Sequence, residues 1–244
     1  MGSFTIHSLP LSPLLQLLLL VFLSSSVLSC KYSRFSPQHT MCKQPSPTCA
    51  IKVRGLTQQE KNFVLHAHND FRRKVANGSE TRLRQPPASN MMMLKWDEEL
   101  AQLAQKHAEN CKFEHDCPKC REVDRFPVGQ NIYMRSSSRE DDKVTWDTIL
   151  DGWYDEVALF PPRTVDSFAV VPGTLHYAQM VWAETTQVGC GFTHFKDKLW
   201  RKLFVCNYGP TGNWLEEPVY YRGKPCSQCD PGFKCSSKYP GLCA

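Results

Sequence analysis

Apolar residues recur at helical spacing in four stretches of the chain and alternate at strand spacing near its end. The first stripe is Phe63, Val64, Ala67, Phe71 and Val75. Thr57-Gln-Gln-Glu60 opens it as a capping box and Asn77-Gly78 closes it, which predicts a helix from 57 to about 76. Asp97 caps a second helix, with Leu100, Leu103, Ala104, His107, Ala108 and Cys111 on one side. A third runs from about Thr145 to Val157, burying Trp146, Ile149, Leu150, Trp153 and Val157. The fourth is short: Gly173 follows Pro172, Thr174 can cap, and His176 and Met180 share a face. Gln187 to Phe195 and Leu199 to Asn207 alternate instead, and Lys196-Asp197-Lys198 joins them as an antiparallel hairpin. Gly129 to Met134 has short strand character.

The stretches between these elements are loop-like. Residues 30–56 are poor in aliphatics and carry Pro37, Pro45, Pro47 and Gly55, so an arm without a core is expected. Arg82 to Asn90 and Ala158 to Pro172 read as long loops; Phe160 and Phe168 in the second either line a pocket or pack the loop down. From Glu216 the chain reads Cys226-x2-Cys229-x5-Cys235-x7-Cys243, a tail held by disulfides rather than by a core. The first 29 residues lack Lys, Arg, Asp and Glu, and the run from Leu14 to Leu23 ends in Ser24-Ser-Ser-Val-Leu-Ser29. This reads as a signal peptide with cleavage before Cys30, a lipid-modified Cys30 being the competing reading. The expected organisation is signal peptide 1–29, arm 30–56, main domain 57–215 and tail 216–244.

Twelve cysteines, all from Cys30 onward, fit an oxidising compartment. Zinc would account for Cys117-x-x-Cys120 and Cys226-x-x-Cys229, but the other cysteines lack zinc spacing. A net charge of +5 is no nucleic-acid footprint, and Arg72-Arg73-Lys74 and Lys196 to Lys202 read as solvated faces. His66 and His68 lie two apart and cannot share a helix face, so packing and hydrogen bonding are expected of them; His107 reads as a core histidine. Asn77-Gly-Ser79 is a glycosylation sequon at a turn. No second apolar run follows, so a soluble, secreted, extracellular monomer without a transmembrane segment is expected.

Gly173 to Thr185, with Leu203-Phe-Val-Cys-Asn-Tyr-Gly-Pro-Thr-Gly-Asn-Trp214, resembles the paired signatures of the CAP superfamily. That superfamily holds cysteine-rich secretory, antigen 5 and pathogenesis-related proteins, and the chain is most like arachnid or insect venom allergen 5-like proteins. The first signature departs from the usual form at Leu175 and Ala178. Trp96 to Ala104, Cys111-Lys-Phe-Glu-His115 and Trp153-Tyr-Asp-Glu156 resemble further family segments. The resemblance implies an α+β fold, a three-layer α-β-α sandwich with a small antiparallel sheet, rich in disulfides. It implies pairs Cys30–Cys42, Cys49–Cys111, Cys190–Cys206, Cys226–Cys235 and Cys229–Cys243, and leaves Cys117 with Cys120.

It also implies a cleft holding His115, His176 and Glu156, with Gln130 where many relatives have Glu. His176 falls in the first helical turn, where a neutral imidazole can ligate a metal or take a proton. The cleft is expected to hold zinc or another divalent ion weakly, or to be a hydrogen-bonded brace without metal; no cofactor is required. Relatives bind sterols or fatty acids, so a lipid, a small hydrophobic ligand or a host protein is the expected partner, with no nucleic acid. Catalysis is not expected: Gly-x-Ser-x-Gly and His-Glu-x-x-His are missing, and Ser136 to Ser138 is an unplaced serine run. A metal-dependent or serine-type hydrolase using His115, Glu156 and His176 is the alternative. An ion-channel modulator is a further alternative, weakened because the tail has no room for the channel-regulating knot.

Overall fold

Thr57 and Glu60 exchange both bonds of a capping box, and helix α1 follows over Gln58–Ala76. The computed structural model describes residues 30–244, so the signal-peptide expectation lies outside the described residues. It divides into two units, Met1–Lys31 and Tyr32–Ala244. Cys30, in the first, is disulfide-bonded. The α-helices and the sheet of the described residues belong to the second.

Helix α2 spans Glu98–Ala108, α3 Trp146–Asp155 and α4 Leu175–Met180. Asp97 caps α2 through Oδ1, which accepts from Leu100 N at 2.8 Å. Strands β1 (Ala50–Arg54), β3 (Gly129–Ser137), β4 (Gln187–Lys196) and β5 (Trp200–Gly209) form an antiparallel sheet in the order β1-β4-β5-β3. The two-residue β2 (Lys95–Trp96) adds in parallel to β4. The predicted hairpin is therefore the centre of the sheet.

Strand alternation makes three layers. On β5, Leu203 and Val205 pack with Ala104 and Ala108 of α2, while Phe204, Cys206 and Tyr208 enter the core shared with α1, α3 and α4. On β4, Gly189 and Gly191 face α2 so closely that its backbone rests on the strand. Gln105 of α2 reads the strand's backbone, donating to Phe192 O at 3.0 Å and accepting from Phe192 N at 2.9 Å.

Several expectations need correction. Phe63 is not in the core; it is 43% exposed, and the buried face of α1 instead carries Val64, His68, Asn69, Arg72 and Val75. Arg72 is not part of a solvated face but fully buried, because backbone carbonyls take all its donors. The end of the arm is a sheet-edge strand, β1. The loop after α3 is two 3-10 turns, Glu156–Leu159 and Pro162–Val165, with Phe160 and Phe168 packed down into the core. The tail does hold a share of the core, through Val219, Tyr220, Tyr239 and Leu242. Its cysteines pair as expected, Cys226–Cys235 and Cys229–Cys243, as do Cys49–Cys111, Cys117–Cys120 and Cys190–Cys206. Cys42 is also disulfide-bonded, and no described cysteine is free.

Candidate functional site

Adjacent residues of β3 point to opposite faces of the sheet, and the cleft is built on that alternation. Gln130 lies on the α2 side beside His115, from the loop after α2; Asn131 lies on the other side beneath His176 of α4. The two histidines thus come from opposite layers and line one cleft at the end of β3. Together with Gln179 and Asn213 these residues line a cleft of ≈ 350 Å³.

The chain of hydrogen bonds behind His115 has a fixed polarity. Asn207 Nδ2 donates to Leu100 O (3.4 Å), so Asn207 Oδ1 is the acceptor that faces Gln130 Nε2 (3.2 Å). Gln130 Oε1 then accepts from His115 Nδ1 (2.8 Å), which must carry the proton and leaves Nε2 as a free lone pair. Gln130 is therefore a support for the imidazole.

Glu156 does the same for His176 and more. Its Oε1 accepts from His176 Nδ1 at 2.6 Å, and its Oε2 accepts from the backbone N–H groups of His176 (2.9 Å) and Tyr177 (3.1 Å). This carboxylate, 20 residues upstream, is the cap of α4. Thr174 does not fill that role; its hydroxyl donates to Val171 O at 2.8 Å. Trp153 stacks on His176, 5.6 Å between ring centroids and 17° between planes. The outcome is two imidazoles, each with Nδ1 held by an oxygen acceptor, as in metal sites whose ligands are oriented from behind.

That donor set fits a divalent ion of the zinc class with water completing its shell, and Asn213 Oδ1, buried without a hydrogen-bond partner beside the cleft, is a further oxygen donor. The carboxylate expected among the ligands is committed to three N–H groups. Among the described residues, the sole group of three or more Cys, His, Asp or Glu ligand atoms within 4.8 Å of one another is Cys226, Cys229 and Cys243, whose sulfurs are taken by disulfides. Asn131, Asn207 and Asn213 are not legible as site residues in the sequence, where an asparagine in a strand or turn carries no distinguishing signal. The serine run ends β3 at Ser137, roughly 23 Å along the strand from Gln130 at about 3.3 Å per residue. Asn77 is exposed at the end of α1, with Nδ2 donating to Pro240 O at 3.0 Å.

Asn131 also ties the cleft to α1. Its Nδ2 donates to His176 O and to Tyr208 Oη, both at 3.2 Å; Tyr208 in turn donates to His68 Nε2 (2.9 Å), and His68 Nδ1 donates to Val64 O (2.8 Å). Complete burial pulls His68 down to about 4. Between about pH 6.5 and 4 the unfolded chain therefore binds a proton that the native one refuses, and stability falls as pH falls through that window. The expected loss is about 1.4 kcal/mol per pH unit, about 3 kcal/mol in all. His39, His107 and His194 are lowered in the same direction by burial, so the measurement is a difference. Urea midpoints followed from pH 7 to 4 should slope less in His68→Gln than in the parent; parallel slopes would mean that His68 is protonated in the native core.

A disulfide-stapled α-β-α sandwich with two supported imidazoles over the sheet end defines a class, and the comparisons agree on it. Residues 65–208 match the cysteine-rich secretory protein family, CAP, and the chain belongs to that family. It is 46% identical over 222 residues to the "CRISP/Allergen/PR-1" protein of Trittame loki, covering 87% of this chain and 54% of that one. It is 45% identical over 206 residues to venom allergen 3 of Solenopsis invicta, covering 79% and 86%. The chain spans just over half the length of the Trittame loki and Tityus serrulatus relatives. Among solved structures, BmVAL-1 matches with a TM-score of 0.67 and 31% identity over 77% of this chain and 95% of that one. NaASP2 with Zn2+ matches with a TM-score of 0.63 and 28% identity, covering 78% and 97%.

Proposed function

We propose that this is a secreted, venom-type CAP protein that works by binding, with a cleft that takes a zinc-class divalent ion weakly between His115 and His176. The observation that carries the metal reading is the pair of imidazoles with Nδ1 occupied and Nε2 free, and a solved neighbour that holds Zn2+ supports it. A bound ion would offer the cleft a water-occupied Lewis-acid position. The binding role is supported by similarity to venom allergens and by exposed apolar side chains around α4: Leu159, Val170, Leu175, Trp214 and Leu215. These give a lipid or host protein a contact surface. The sequon at Asn77 is its glycosylation site. A hydrolase is disfavoured because the serine run at Ser136 to Ser138 lies at the far end of β3 from the cleft.

Zinc titration calorimetry is the test. His176→Ala and His115→Ala should each weaken binding at least tenfold with little change in melting temperature. A chelator should leave the parent folded, because each disulfide already constrains the unfolded chain by about 2–4 kcal/mol. Parent-like zinc affinity in His176→Ala, or unfolding on chelation, would show that the ion sits elsewhere or is structural.

A further inference from the structure

A second and larger cavity, ≈ 510 Å³, lies between the arm and the loop after α2, and it is lined by a disulfide. Cys117 and Cys120 are three residues apart, against separations of 62, 16, 9 and 14 for the other described pairs. A bridge this short ties no two elements together and restricts the unfolded chain least, since the constraint grows with loop length. Its two ends differ: Cys117 is exposed and Cys120 is 2% exposed. The cavity is far from apolar, with Gln38, Lys43, His107 and Asp116 on its wall.

From this arrangement we infer that Cys117–Cys120 is a thiol–disulfide exchange site, and that the cavity admits a small thiol bearing carboxylates, of the glutathione class. Lys43 makes no ion pair among the described residues and can meet such a carboxylate. An entering thiol gives its proton to solvent at the cavity mouth. The thiolate attacks the exposed Cys117 sulfur. A mixed disulfide forms on Cys117, the Cys117–Cys120 bond breaks, and its electron pair leaves on Cys120 Sγ. Ser36 Oγ, 3.7 Å from that sulfur, donates to it, and a proton from solvent neutralises it. A second thiol then attacks the bound thiol's sulfur. Two thiols are oxidised to their disulfide and the protein pair is reduced to two thiols.

The test is glutathione itself, titrated in redox buffer against native protein without denaturant, followed by alkylation and peptide mapping. Cys117 and Cys120 should be half-reduced at a glutathione concentration at least tenfold below that needed by any other described pair. In Cys120→Ser, Cys117 should carry a single glutathione. Ser36→Ala should slow reduction of this pair several-fold and leave the rates of the others unchanged. Reduction of all pairs at one concentration, or an unmodified Cys117 in Cys120→Ser, would overturn the assignment. Should that variant fail to fold, the mapping of the parent decides alone. None of these outcomes depends on metal in the cleft.

Discussion

Arg72→Met should lose about 4 kcal/mol of stability, because buried carbonyls lose their donors at about 1–3 kcal/mol each. Arg72 lies inside α1, wholly buried, without a carboxylate partner among the described residues. Its Nε donates to Met92 O (2.8 Å), Nη1 to Met180 O (3.0 Å) and Trp182 O (2.7 Å), and Nη2 to Ala183 O (3.0 Å) and Thr185 O (3.1 Å). All five donors of the fork are used, on carbonyls that no helix or strand ladder satisfies. Four of them come from the end of α4 and the turn after it, where the negative end of the helix favours a cation. Methionine fills the volume and leaves Met92 O, Met180 O and Thr185 O without a donor in a dry core, while Trp182 O and Ala183 O keep backbone donors in Thr185 N and Met92 N. Lysine has three donors at most, so Arg72→Lys should fall between parent and methionine. With the disulfides intact, calorimetry should show a drop of about 8–16 °C for Arg72→Met, at about 2–4 °C per kcal/mol for a chain of this size. A loss below about 1 kcal/mol would mean that water replaces the guanidinium, and the clamp would not be structural.

Arg72 also shows what the sequence withholds. Written as Arg-Arg-Lys, it looks like a charged surface run, and Phe63, one of two phenylalanines in its helix stripe, looks like core; both are reversed. The reason is that Arg72's partners are main-chain carbonyls more than a hundred residues away for four of the five bonds, and carbonyls leave no letter in a sequence. The cap of α4 is hidden the same way. Cap signals are local, whereas Glu156 reaches α4 across a loop of two 3-10 turns. Features with local causes are legible: the capping box at Thr57, the cap at Asp97, the hairpin, and helix periods wherever apolar residues fill the buried face. Short and irregular contributions are not, which is why β1, paired on one side only, and the four tail residues in the core cannot be read from the chain. The site divides along the same line. The motif resemblance brings His115, His176, Glu156 and Gln130 together, but which of them support and which can ligate depends on the polarity running from Leu100 O through Asn207, a fact of tertiary structure.

Gly191→Ala should be nearly as damaging as loss of Arg72, and for a purely steric reason. A Cβ at Gly191 would lie 2.3 Å from Gln105 N, 2.4 Å from Gln105 Cα and 2.5 Å from Ala104 C; at Gly189 it would lie 2.2 Å from Ala101 N and 2.4 Å from Asp97 O. Every one of these atoms is backbone, so no rotamer relieves the overlap, and α2 must retreat from the sheet by about 1 Å to restore ordinary contact. That retreat loosens Ala104 and Ala108 against Leu203 and Val205 and pulls Gln105 from Phe192. Overpacking of this kind costs about 1–3 kcal/mol and sometimes more; with backbone on both sides, about 3 kcal/mol is expected. Gly152→Ala is the control. Gly152 lies inside α3 with nothing within 4 Å of the added carbon, so alanine there should stabilise by about 0.5–1 kcal/mol through helix propensity. The two variants make the same chemical change and should move the melting temperature in opposite directions. Gly189→Ala adds a consequence for the cleft, because shifting Leu100 O from Asn207 Nδ2 removes the group that fixes the polarity of the chain ending at His115. Its zinc affinity should therefore fall even at temperatures where the protein remains folded. A Gly191→Ala protein within about 1 kcal/mol of the parent would mean that α2 does not lie in backbone contact with β4, and that something else sets the spacing of the two layers.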